Sequence, residues 1–189
     1  MQHTKEVFGA NVLNNAFDTN YAIGDGVAMC SVSHPLTAGG VASNTLATPA
    51  ELSEAALEDA LIQISQQVDD RGIPIALTGQ KLIIAPANTF VAERITQSPY
   101  QPGTNNNDIN AMRSMGKLPQ GTGVLQRLTN PAAWFIKTDS PDGLKHFVRK
   151  PLSRGMEGDF ESGNMRYKAR ERYSFGITDW RAIFGSSGG

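Results

Sequence analysis

Cysteine and histidine are nearly missing from this chain: one cysteine and three histidines stand among its 189 residues. A single thiol excludes an internal disulfide framework and agrees with a reducing compartment. The shortage also argues against metal chemistry, because a zinc site needs three or four ligands and Cys30, His3, His34 and His146 show no paired spacing. No apolar run reaches the length that crosses a bilayer, and no basic start leads into an apolar signal core. Phosphate-binding loops fail as well. Gly121-Thr122-Gly123 lacks the following glycine of a dinucleotide fingerprint, and no glycine is followed by lysine and then serine or threonine. Cys30 and His34 are near enough in sequence to be weighed as nucleophile and base. Cys30 sits in an apolar stretch and His34 precedes proline, so a plain core cysteine is the better reading. Asp69 and Asp70 adjoin each other at an expected helix end, point in different directions and are expected to face solvent. The expectation is no enzyme, with no catalytic, cofactor-binding or metal site.

With 40% hydrophobic residues the chain can bury one good core, or two small lobes sharing a sheet. Its net charge of -1 hides an asymmetry: residues 1–144 carry 8 Lys+Arg against 13 Asp+Glu, whereas residues 145–189 carry 9 against 5. Residues 4–17, TKEVFGANVLNNAF, have near-helical apolar spacing with no cap or turn before them, and read as the end of a helix. Turn formers fill residues 18–40, within which residues 27–32 are a candidate short strand. Thr48-Pro49-Ala50-Glu51 has the cap hydroxyl, the proline and the carboxylate of a helix start, so a helix is expected from Thr48 to Asp70-Arg71-Gly72, with Leu52, Ala56, Leu57, Ala60, Leu61, Ile64 and Val68 as its apolar stripe. Leu82-Ile83-Ile84-Ala85 reads as a buried strand closed by Pro86, and residues 90–96 as a second helix opened by Asn88 or Thr89. Residues 98–108, with three consecutive asparagines, read as an exposed mobile loop. Residues 132–137 and 144–149 read as the two strands of a hairpin, and residues 151–163 as a second loop.

The most distinctive segment is 164–177, NMRYKARERYSFGI. Assigned alternately, Met165, Tyr167, Ala169, Tyr173, Phe175 and Ile177 share one face with only Glu171 between them, while Arg166, Lys168, Arg170 and Arg172 line the other. At roughly 3.3 Å per residue the strand runs on the order of 45 Å, far beyond the usual length. A protein that bridges copies of itself or lies along a polyanion has a use for such a strand. Three readings of its cations stay open: a solvated or ion-paired face, phosphate contacts to a nucleic acid with tyrosine stacking, or ion pairs to carboxylates of a neighbouring subunit, for which residues 48–70 offer acidic positions.

In their order, five segments resemble the central and C-terminal part of a tailed-bacteriophage major capsid protein of the Hong Kong 97 type, a fold shared with encapsulin shells. They are TKEVFGANVLNNAF with DGVAMCSVSHPL; ATPAELSEAALEDALIQISQQVDDRGIPIALTGQKLIIAPANTFVAERI; NDINAMRSMG; PAAWFIKTDSPDGLKHFVRK; and GDFESGNMRYKARERYSFGITDWRAIFGS. The family's N-terminal arm and extended loop have no counterpart here. The resemblance implies an α+β fold with peripheral and axial domains, a mixed sheet with packed helices and a long C-terminal strand. Residues 1–48 would be a peripheral segment holding the end of the spine helix, residues 49–150 mainly axial, and residues 151–189 the return to the peripheral domain. It further implies a structural subunit that self-associates into pentamers and hexamers around packaged double-stranded DNA, without a cofactor or membrane. The shell would form in the cytoplasm of a bacterial host, with scaffolding, portal or decoration proteins as further partners. The alternatives are an encapsulin-like shell or a nucleic-acid-binding module built on 164–177. Arg166, Arg170, Arg172 and Trp180 are the candidates for subunit contacts.

Overall fold

A computed structural model describes residues 2–101, 108–158, 160–161 and 163–189. Its centre is built from apolar runs that are too short for helices and too continuous for a half-exposed strand. β3 (Gly79–Ile84) lies between β4 (Thr122–Val124), to which it is parallel, and β5 (Trp134–Thr138), to which it is antiparallel; β8 (Ile183–Ser186) completes the sheet on the far side of β5. Alternation divides these strands between two cores. Leu82, Ile84, Trp134, Ile136 and Phe184 face α2 (Glu54–Ser65) and α3 (Thr89–Gln97). Ile83, Phe135 and Ile183 face the opposite way, toward Leu13 and Ala16 at the end of α1 (Gln2–Asn14) and toward Met29 and Cys30. Both faces are covered, so the central strands carry hydrophobes at successive positions. The fold is α+β.

The remaining elements are small, with one exception. β1 (His34–Pro35) and β2 (Val41–Ala42) pair with each other, and α4 (Ala111–Ser114) is a single turn packed beside α3. The exception is the pair β6 (Leu144–Gly158) and β7 (Met165–Ile177), an antiparallel ribbon of 15 and 13 residues that forms a sheet of its own.

The helix expected from Thr48 begins instead at Glu54, where Ser53 Oγ accepts the Ala56 amide. Tertiary bonds hold residues 48–52 out of the helix. The Ala50 carbonyl accepts Trp134 Nε1 at 3.0 Å and Ser186 Oγ at 2.8 Å, and the Ala50 amide donates to Ser186 Oγ. The helix ends at Ser65 rather than at Asp70, and residues 67–75 fold back through Gly72, whose φ of 81° suits a residue without a Cβ. Residues 27–32 form no strand. Their backbone is bonded elsewhere: the Cys30 amide goes to the Ala16 carbonyl and the Ser31 amide to Asn44 Oδ1. Nor do residues 132–137 and 144–149 form a hairpin, because β5 is flanked on both sides by β3 and β8 and β6 pairs with β7. Most of residues 151–163, expected as a loop, extend β6; Pro151 falls where the ladder shifts register between Lys150 and Ser153, a position at which a missing amide proton is tolerated. The strand of residues 82–85 and the helices at 4–17 and 90–96 occur close to their expected places. The asparagine run expected in an exposed loop lies at 105–107, outside the described residues.

Candidate assembly surface

The ribbon's register fixes what each face displays. Arg172 lies opposite Lys150, Arg170 opposite Ser153, Lys168 opposite Gly155 and Arg166 opposite Glu157, so these residues share one face. The other face carries Tyr173 opposite Val148, Phe175 opposite His146, Tyr167 opposite Met156 and Met165 opposite Gly158. The expected cation row is therefore one face of a two-stranded element, extended by Lys150 of the neighbouring strand.

The apolar face is half-buried only near its base. There Phe175 packs under Gly9 of α1 at 3.6 Å from an idealised Cβ, His146 stacks on Phe175 and Tyr173 meets it edge-on. Glu171, the one carboxylate among these hydrophobes, takes Lys5 Nζ of α1 at 2.8 Å and is 11% exposed in its side chain; Lys5 also lies over the Tyr173 ring. Beyond Glu171 the expected burial stops: Met156, Met165 and Tyr167 are exposed, Tyr167 by 74%. No helix covers that part, so a long apolar alternation here marks a protruding arm with one anchored end. Two open grooves of about 800 and 830 Å³ flank the anchor, the first lined by Phe8, Val12 and Tyr173, the second by Lys5, Leu125 and Leu152.

Of the four candidates for subunit contacts, Arg166, Arg170 and Arg172 are exposed on the ribbon. Trp180 is not on the surface. It is 5% exposed, with the His34 ring stacked parallel to it at 4.3 Å and the Arg181 guanidinium over its ring at 4.3 Å. Arg181 is held by the Val68 carbonyl, Asp70 and Asp179. Asp70 is thus a partner of Arg181 and not simply a solvated carboxylate. His34 Nδ1 lies 2.5 Å from Asp25 Oδ2, and Nε2 lies 3.0 Å from Asn44 Oδ1. Asn44 gives its amide protons to the carbonyls of Met29, Trp180 and Ile183. This knot ties residues 25–44 to the chain's last strand and holds Trp180 in the interior of the single subunit.

The knot also settles how Cys30 and His34 are placed. Both His34 nitrogens are engaged by Asp25 and Asn44, and Cys30 lies in the apolar layer against Phe135, where burial pushes its thiol pKa upward, away from the nucleophilic thiolate. Among the described residues no group of three or more His, Cys, Asp or Glu side chains is placed to hold a metal ion, and no helix is long and apolar enough to cross a membrane. The cations of β6, Arg149, Lys150 and Arg154, were missed as part of the charged element. They were missed because Pro151 reads as the start of a loop, which ends the expected strand at Arg149.

An exposed ribbon, open grooves and polar groups used for structural ties describe a building block, whose chemistry is contact. Residues 1–185 match the family model described as Phage capsid protein, and the chain belongs to that family. It is a structural protein of the virion capsid, a shell subunit and not an enzyme. Among solved structures it is similar to the virus-like particle from Pyrococcus furiosus, at 13% identity and a TM-score of 0.45 over 75% of this chain; it spans 55% of that chain's length. No curated protein matches it.

Proposed function

We propose that the protein is a Hong Kong 97-type shell subunit whose copies assemble into pentamers and hexamers around packaged double-stranded DNA. Residues 1–48 and 151–189 would lie in its peripheral part, and residues 49–150 mainly in its axial part. The observation that carries this reading, beside the capsid family, is the ribbon. A two-stranded sheet with no covering layer is marginal by itself in water, and most of the length of β6 and β7 is exposed. Such an element is completed by a neighbour, and in a shell the neighbour is another copy. Arg166, Arg170 and Arg172 are the contact residues this reading selects. Assembly in the cytoplasm of a bacterial host, with scaffolding, portal or decoration proteins as accessory partners, belongs to the same proposal.

Light scattering and negative-stain microscopy of the purified chain over a rising concentration series test it directly. Pentamers, hexamers or closed shells are the expected species. A strict monomer at every concentration contradicts the reading.

A further inference from the structure

Charge is segregated in this molecule by element. β6 and β7 hold eight basic and two acidic residues, leaving nine basic and sixteen acidic residues for the rest of the chain. On the cationic face Lys150, Arg170 and Arg172 stand together, and none of them enters an ion pair among the described residues. Like charges at neighbouring positions of one sheet face repel. Intrachain relief reaches only the far end, where Lys168 meets Glu157 at 3.0 Å. The ribbon therefore displays an unneutralised cation cluster near its middle, beside a face that the chain leaves uncovered.

From this we infer that the cationic face of the ribbon docks on the acidic body of a second copy, with the carboxylates around the start of α2 as its counterpart. Glu51, Glu54, Glu58 and Asp59 enter no ion pair among the described residues. Their spacing suits the ribbon. Alternate residues of a strand recur about every 6.6 Å, and residues four apart on a helix recur about every 6 Å, so Glu54 and Glu58 match the step from Arg170 to Arg172. Arginine's planar fork favours such carboxylate pairs over monodentate contacts. The contact joins two different surfaces and is heterologous, the kind that closes into rings when the rotation allows. A polyanion such as DNA is the competing occupant of the same cations. The body's excess of carboxylates, sixteen acidic against nine basic residues, favours the second copy, since it supplies the opposite sign on the same molecule.

This inference rests on the shell-subunit reading, and the test separates the two. Three variants of the full chain are compared with the parent by sedimentation and microscopy: R170E/R172E, E54K/E58K, and the fourfold combination. Loss of a few exposed pairs together with new repulsion predicts that either double variant raises the concentration needed for assembly by about tenfold. The fourfold variant, in which both signs are exchanged, is expected to recover the parent's value. Circular dichroism checks that each variant is folded. Recovery in the fourfold variant cannot come from DNA, because exchanging Arg170 and Arg172 for glutamate only weakens a cationic face toward a polyanion and the lysines placed on α2 do not restore that face. Double variants that assemble like the parent overturn the docking contact while leaving the shell reading intact. A fourfold variant as impaired as R170E/R172E overturns it in favour of a polyanion partner. A parent that never assembles overturns both.

Discussion

Asn44 carries more of the fold than its size suggests. Its side chain accepts the Ser31 amide at 2.8 Å, which fixes the orientation of the carboxamide, so His34 Nε2 must donate to the same oxygen. Its amide nitrogen meets three carbonyls, two of them more than 130 residues away in sequence. Asn44→Ala would take away the side-chain partner of each of these groups, and the Ser31 amide and His34 Nε2 would lose the bond that Asn44 Oδ1 gives them. The expected loss is about 2–4 kcal/mol of unfolding free energy, read from the midpoint of chemical denaturation, whereas a loss under ~1 kcal/mol would mean that water replaces the amide. Asp69 tests the opposite situation, a half-buried carboxylate in a turn. The Ile73 amide, then the Arg71 amide and guanidinium, hold its carboxyl below the ordinary carboxylate range. A depressed carboxyl stabilises the fold above its unfolded pKa and loses that contribution as pH falls through the lower folded value. The stability gap between the parent and Asp69→Asn should therefore be fully open at neutral pH and should narrow as the solution is acidified below about pH 4. A gap that stays constant down to pH 2 would show that Asp69 acts through geometry and not charge.

At the scale of elements, the ribbon divides at Glu171. From Glu171 to Ile177 every second side chain of β7 is partly covered, and the Lys5–Glu171 pair clamps the strand to α1. Distal to it nothing covers either face. Amide exchange should follow this division, with slow exchange at 173–177 and fast exchange at 165–169 in unassembled protein, since exposed ladders open cheaply. Uniform protection along β7 would contradict a free arm. The core is less forgiving. At Gly185 an added Cβ would sit 2.8 Å from Phe135 and 2.9 Å from Cys30 Sγ, so Gly185→Ala is expected to cost about 1–3 kcal/mol through overpacking, measured as a lowered denaturation midpoint.

What could be read in advance follows from the range of the interactions. β3, α1 and α3 were legible because an apolar run or a helical stripe states its own burial. The long strand β7 was legible as a two-faced strand, but not its exposure, because alternation says which side chains share a face and nothing about whether a second layer exists. The misplaced start of α2 has a similar cause. Thr48-Pro49-Ala50-Glu51 satisfies every local rule for a cap, yet Trp134 and Ser186, 84 and 136 positions away from Ala50, claim that backbone. The knot around Trp180 was beyond reach for the same reason, since its partners His34, Asn44 and Val68 lie more than 100 positions away from residues 180–183.

For the molecule as a whole, the sheet with its two cores and the ribbon are energetically separable. Neither core includes a residue between 144 and 170, and of the ribbon only Ile177 packs against one. The free energy of folding thus resides in burial that excludes the distal arm. Replacing residues 154–169 by Asn-Gly, which joins the paired residues Ser153 and Arg170 through a tight turn, removes the arm but keeps Glu171 and its clamp. Unfolding free energy should stay within about 1 kcal/mol of the parent, because exposed side chains away from special contacts contribute little, while assembly should be lost or displaced to much higher concentration. If the excised protein fails to fold, the ribbon is part of the folding unit and the division into core and arm is wrong. If it folds and assembles as before, the distal arm makes no essential contact, and the subunit contacts lie on what is kept, the Lys150, Arg170 and Arg172 cluster included. The separation has a physical logic for a shell. An arm that adds nothing to the stability of the single subunit keeps its binding free energy for the lattice, where many weak contacts of a charged ribbon add up and each one can still be broken and remade while the shell closes.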